Sequence, residues 1–177
     1  MRSVLRIVWL AAPLLLATAV RALPASSQEY EVKAAFLYKF GNFVEISVPP
    51  GAPFTVTVLG DDPFGDALDN MVRGKTIEGR HVEVRRTHNI DEATRSGIVF
   101  ISASEKVRLR EILGAFRNTR ALTVGDVDGF AAAGGMIGFV VEQNRVRFEI
   151  NPGAAEQAGI RINAKLLNLA RIVSTER

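Results

Sequence analysis

The sequence predicts one α/β domain, a three-layer α/β/α sandwich around a mixed, mostly parallel sheet. Three observations predict it. Strand-like and helix-like segments alternate for most of the length, Ile98 to Ile101 is apolar at every position as an interior parallel strand is, and an apolar run and an alternating segment joined by Gln143-Asn144 form a late β-hairpin. With 177 residues, 47% of them hydrophobic and 23% charged, the chain suits a single packed domain and is too apolar for a disordered one.

Residues 1–27 read as a secretory leader. Arg2 and Arg6 precede the uncharged 14-residue stretch Ile7 to Val20, and a segment rich in small residues runs through Ser27. A membrane-crossing helix wants ~20 apolar residues, so a cleaved leader is expected over its rival, an uncleaved anchor. The cut is expected between residues 22 and 27, leaving residues 28–177 as one exported domain. No cysteine stands there to carry a lipid, and none stands anywhere else, so the domain has neither disulfides nor a thiol nucleophile.

From Glu29 to Val44, Val32, Ala35, Phe36, Phe40 and Phe43 recur at helical spacing, Gly41 weakens the end, and Pro49-Pro50-Gly51 forbids continuation. Phe54 to Leu59 alternates as a strand. Gly60-Asp61-Asp62-Pro63 breaks it, with Asp62 as N-cap and Pro63 as first residue of a helix whose stripe is Phe64, Ala67, Leu68 and Met71. His81 to Arg86 is a strand with one wet face. Ile98 to Ile101 follows, then a helix capped by Ser102 or Ser104 with the stripe Leu109, Ile112, Leu113 and Phe116. Ala121 to Val124 is a short strand. The hairpin pairs Met136–Val141 with Val146–Ile150, Asn151-Pro152 starts a short helix that Gly159 ends, and Ile162, Leu166, Leu169 and Val173 predict a last helix. Gly134-Gly135 makes the turn into the Met136 strand, and Gly138 permits a close approach there.

The net charge of +3 does not point to nucleic acid. Arg2, Arg6 and Arg21 lie in the leader, which has no acidic residue, so 19 basic and 19 acidic residues remain from Gln28 onward. Lys106, Arg108, Arg110, Arg117 and Arg120 concentrate on one helix and its exit without interleaved aromatics, a solvated face or an acidic partner's surface. His81 and His88 alone cannot build a zinc site, GFAAAGGMIG is no phosphate loop, and no G-x-S-x-G is present. Asp61 and Asp62 follow one strand and Asp126 and Asp128 another, where open α/β sheets place ligands, so these four are the candidate site for a hard cation. The arrangement loosely resembles the acidic pocket of receiver domains, yet Ile101-Ser102 offers no aspartate as phosphate acceptor. Capping and turn formation already explain Asp62 and Asp126, so a structural role is expected over a metal site there. With no catalytic constellation assembled, the residues favour a non-enzymatic exported binding module with no cofactor.

The blocks EYEVKAAFLYKFGNFVEI, FTVTVLGDDPFGDALD, FISASE, ALTVGDVDGFAAAGGMIGFVVEQNRVRFEIN and AGIRINAKLLNLARIV, in that order, resemble the YfiR-like family. The resemblance implies a periplasmic repressor that contacts the periplasmic sensory domain of an inner-membrane diguanylate cyclase and holds back cyclic di-GMP synthesis, as a homodimer. It places the partner surface on Arg147 to Asn151 and Ala158 to Leu167, with Arg147, Glu149, Ile160, Arg161 and Lys165 as candidate contacts. The cysteine pairs of the characterised repressor are absent, so no disulfide switch carries over. Two alternatives stand beside this reading: a metal-binding or catalytic domain at the aspartates, and an envelope ligand sensor or structural protein without a cyclase partner.

Overall fold

A computed structural model describes residues 25–175 of the chain. The predicted leader lies outside the described residues, apart from residues 25–27, which open the first helix. That helix, α1 (Ala25–Phe43), is followed by β1 (Val44–Glu45), β2 (Phe54–Leu59), α2 (Asp66–Val72), β3 (Thr76–Ile77), β4 (Arg80–Thr87), α3 (Ile90–Ala93) and β5 (Ile98–Ile101). A 3-10 turn (Ala103–Arg108) leads into α4 (Leu109–Phe116), and β6 (Leu122–Gly125), β7 (Ile137–Glu142), β8 (Arg145–Ile150), α5 (Pro152–Gln157), β9 (Arg161–Ile162), α6 (Ala164–Leu167) and β10 (Arg171–Ile172) complete the described residues.

The main sheet runs β10-β8-β7-β6-β5-β2-β4-β3. Strands β4, β2, β5, β6 and β7 are mutually parallel, while β8 is antiparallel to β7, and β3 to β4. The α/β sandwich with a mixed, mostly parallel sheet is therefore the observed fold. The uniformly apolar β5 is divided between two cores, Ile98 and Phe100 facing α1 and α2, Val99 and Ile101 facing α3 and α4. Alternation puts successive side chains on opposite faces, so a strand covered on both sides must be apolar throughout. Strand β2 obeys the same rule. All six of its residues are buried, Thr55 and Thr57 included, and the Thr57 hydroxyl is paired with that of Ser96 at 2.6 Å.

Local chemistry sets the punctuation. Gln143 and Asn144 adopt positive φ (49° and 60°), the mirror-image turn that matches hairpin twist, and Asn151 Oδ1 accepts the Ala154 N–H at 3.0 Å, capping α5 with Pro152 at its start. All four stripe residues of α4 are buried. Gly125 and Gly135 flank the buried ring of Phe130, where any Cβ would collide with it, and Gly138 packs on Phe130 and Ala131.

Three expectations are corrected. Asp62 does not cap a helix: its Oδ1 accepts from the Phe64 N–H at 2.8 Å in a local turn, and α2 starts later, at Asp66. The buried stripe of α1 is Lys33, Ala34, Leu37 and Phe40, rotated from the predicted one, leaving Val32 and Phe43 substantially exposed. The long terminal helix is not formed. Its residues are split among β9, α6 and β10, because Ile162 pairs with Val44 and Ile172 with Ile150; Leu166 is buried, but Leu169 is 74% exposed.

Candidate functional site

The polar centre of the molecule lies at the carboxyl ends of the parallel strands, under the first turns of α1. Lys33, Leu37 and Phe40 share one stripe of that helix, since residues four and seven apart stack on one face. Phe40 meets Phe139 and Phe148 with ring centroids 5.8 and 5.2 Å apart, which anchors α1 across β7 and β8. One stripe position carries a charge. Lys33 Nζ reaches Asp126 Oδ2, just past β6, at 2.8 Å, with both side chains about 95% buried. Glu29, one turn earlier, approaches the same ammonium at 2.6 Å, and the Tyr30 hydroxyl donates to Asp126 Oδ2 at 2.8 Å.

The Lys33 ammonium also lies 4.3 Å from the centroid of the Tyr30 ring, which packs edge-on against Phe64 beyond β2. Burial above all, then the hydrogen bond to Asp126 and the negative charges of Asp126 and Glu29, push the Tyr30 phenol well above the usual tyrosine range. It stays a neutral donor. Asp126 Oδ1 is buried without a hydrogen-bond partner among the described residues. Chemically the group is a tether: the carboxylate is paired with a lysine and roofed by a helix, its side chain 5% exposed.

The other acidic turn is built differently. Arg86 of β4 donates from Nε to Asp62 Oδ2 at 2.6 Å and pairs with Asp69 of α2, so β4, α2 and the turn after β2 are tied together at the surface. The hydrogen bond that Arg86 donates to Asp69 pushes the arginine's pKa above its ordinary value; burial opposes it, and the hydrogen bond to Asp62 and the charges of both carboxylates add to the rise. The crevice between β2 and β5, where the strand order reverses, is bridged by protein: the Asp61 N–H donates to Ser104 Oγ at 2.9 Å. Asp61 and Asp128 are exposed. The four candidate aspartates are thus not gathered into one site, and among the described residues no group of three or more His, Cys, Asp or Glu side chains is placed to hold a metal ion.

The family profile described as YfiR/HmsC-like (DUF4154) matches residues 30–171. The chain belongs to the YfiR/HmsC-like family. Two solved structures share the fold. The ABC domain in complex with L-Trp from Streptococcus pneumonia superposes with a TM-score of 0.51 at 10% identity, covering 84% of this chain and 60% of that one. A conserved domain protein from Vibrio cholerae O1 biovar El Tor gives 0.55 at 12% identity, covering 83% and 60%. This YfiR/HmsC-like chain therefore spans less than two thirds of either relative's length. No curated protein matches it. Among its described residues no helix is long and apolar enough to cross a membrane.

The structure separates the five candidate contacts of this YfiR/HmsC-like domain. Arg147 on β8, Arg161 on β9 and Lys165 on α6 are exposed. Arg161 lies 3.7 Å from Glu45 in a solvated pair. Ile160 is 2% exposed and belongs to the core. Glu149, expected to be free, is 8% exposed, and its Oε1 accepts from Arg171 Nε at 2.8 Å, because β10 pairs with β8 and sets Arg171 opposite it. Sequence reasoning passed over Lys33, Tyr30, Arg86 and Arg171. For Lys33 a signal was present: a charged residue four before Leu37 and seven before Phe40, on the apolar stripe itself.

Proposed function

We propose that this protein is an exported, non-catalytic regulator that binds the periplasmic domain of an inner-membrane diguanylate cyclase and represses it, acting as a homodimer. The observation that carries the reading is the family match across residues 30–171. The neutralised, roofed carboxylate after β6 supports it, since a general base or cation site needs an accessible carboxylate. Leader cleavage between residues 22 and 27 and a periplasmic location belong to the same proposal. Among the family's partner-facing positions, Arg147, Arg161 and Lys165 are the side chains with charge to offer an interface, while Glu149 and Ile160 act through the fold.

Deleting the gene and measuring cellular cyclic di-GMP, paired with pulldown of the processed protein from solubilised membranes, tests the reading. A rise in cyclic di-GMP and recovery of a cyclase are expected. Unchanged cyclic di-GMP in cells shown to make the protein, with no membrane signalling enzyme recovered, would overturn it. Charge reversal at Arg161 or Lys165 should weaken association without loss of fold. The same reversal at Glu149 should destabilise the domain by setting a lysine against Arg171.

A further inference from the structure

Between α4 and α5, beside Thr175, lies a partly enclosed cavity of about 200 Å³. Leu113 and Phe116 of α4 and Met136 ahead of β7 supply apolar wall. The floor includes buried Thr123, whose Oγ1 accepts the Met136 N–H at 3.1 Å, so that buried backbone donor is satisfied. The rim is polar and donor-rich. Arg117 makes no ion pair or side-chain hydrogen bond among the described residues, and the Thr175 hydroxyl accepts from Asn151 Nδ2 at 2.8 Å, which leaves its own hydrogen to donate. Gln157 adds an amide, and among the described residues no carboxylate lines the cavity.

An apolar interior with a rim that offers donors and a fixed positive charge selects a ligand with an anionic head and an apolar body. Size narrows the class, because an apolar cavity of about 150 Å³ is enough to hold benzene. We propose that this cavity binds a small organic monocarboxylate whose apolar body is slightly larger than a benzene ring, its carboxylate held at the rim by Arg117 and Thr175 and its body against Leu113, Phe116 and Met136. This assignment goes beyond the regulatory reading and does not rest on it.

Hexanoate is the probe, titrated into the full-length chain and followed by amide chemical shifts and thermal unfolding, with uncharged hexanamide as the control. Saturable hexanoate binding with shifts clustered at α4, α5 and residues 133–136 is expected, hexanamide binding about tenfold more weakly or less well still. Arg117→Gln should cost about tenfold in affinity, the worth of a charge-assisted hydrogen bond, at unchanged unfolding temperature. Gln157→Glu, which puts a like charge on the rim, should weaken hexanoate and spare hexanamide; Ala154→Leu, which fills the cavity, should abolish both. Should Ala154→Leu fail to fold, the two rim variants carry the test. The proposal is overturned by absence of saturable binding at millimolar hexanoate, by equal binding of the amide, or by affinity that survives Arg117→Gln and Gln157→Glu.

Discussion

Gly60-Asp61-Asp62 and Gly125-Asp126-Val127-Asp128 are alike in sequence, each a glycine followed by aspartate at the carboxyl end of a parallel strand, and the fold treats them in opposite ways. The first is tied at the surface: Asp62 answers a local N–H and an arginine whose side chain is 38% exposed. The second is sealed: Asp126 meets a lysine and a tyrosine from a helix 93 and 96 residues earlier, at 5% side-chain exposure. A carboxylate after a strand thus has no inherent role. Whether it caps, tethers or binds is decided by what the rest of the chain lays over it. Energetically the two turns differ as well, because a buried charge without its partner is costly whereas a surface ion pair contributes little.

Substitution can break that contrast most directly at Lys33. Lys33→Met keeps the bulk on the α1 stripe but strands Asp126 in the interior, and should lower unfolding free energy in urea by ~3 to 5 kcal/mol. Adding Asp126→Leu to Lys33→Met should recover most of the loss, since a pair replaced by apolar residues no longer leaves a buried charge. A double variant no more stable than the single one would mean that Lys33 acts mainly through packing.

Tyr30→Phe removes one hydrogen bond from Asp126 and should cost about 1 kcal/mol near neutral pH. Its pH dependence sharpens the comparison. The folded-state pKa of Tyr30 is raised above the ordinary 10.0, so the stabilisation it brings is fully present below about pH 10 and is lost as pH rises through the raised value. The gap in stability between wild type and Tyr30→Phe should therefore hold steady from pH 7 to 9 and narrow above 10. A gap that widens with alkali would contradict the buried, neutral phenol.

At the surface turn, Asp62→Ala should cost about 1 kcal/mol or less, and added salt should shrink the part that belongs to Arg86. Smallest of all is the expected response to cations. Calorimetry with magnesium or calcium should give no saturable heat, and Asp126→Asn should alter stability alone; tight binding abolished by Asp126→Asn would put catalysis back in question.

Most of the scaffold is readable along the chain. Phe54–Leu59 and Ile98–Ile101 are strands at the expected residues, Leu109, Ile112, Leu113 and Phe116 form the buried stripe of α4, and Asn151-Pro152 starts its helix. The end of the chain is not so readable. Ile162, Leu166, Leu169 and Val173 fit helical spacing, yet two-residue pairings win, Ile162 with Val44 in a separate two-stranded ribbon and Ile172 with Ile150 beside β8 of the main sheet, because backbone partners offered there outweigh a weak local preference. The same late pairing brings Arg171 against Glu149 and withdraws that carboxylate from any partner.

The α/β class, the positions of the central strands and the turns at Gln143-Asn144 and Asn151-Pro152 are written in the order of the residues. These follow from side-chain periodicity and from the restricted backbone of proline, asparagine and glycine, which act within a few residues. The pairing of Asp126 with Lys33, the clamp of Arg171 on Glu149 and the exposure of Leu169 arise from packing in three dimensions. Burial and charge pairing depend on groups brought together from distant parts of the chain, so their energies are fixed when the layers close and not before.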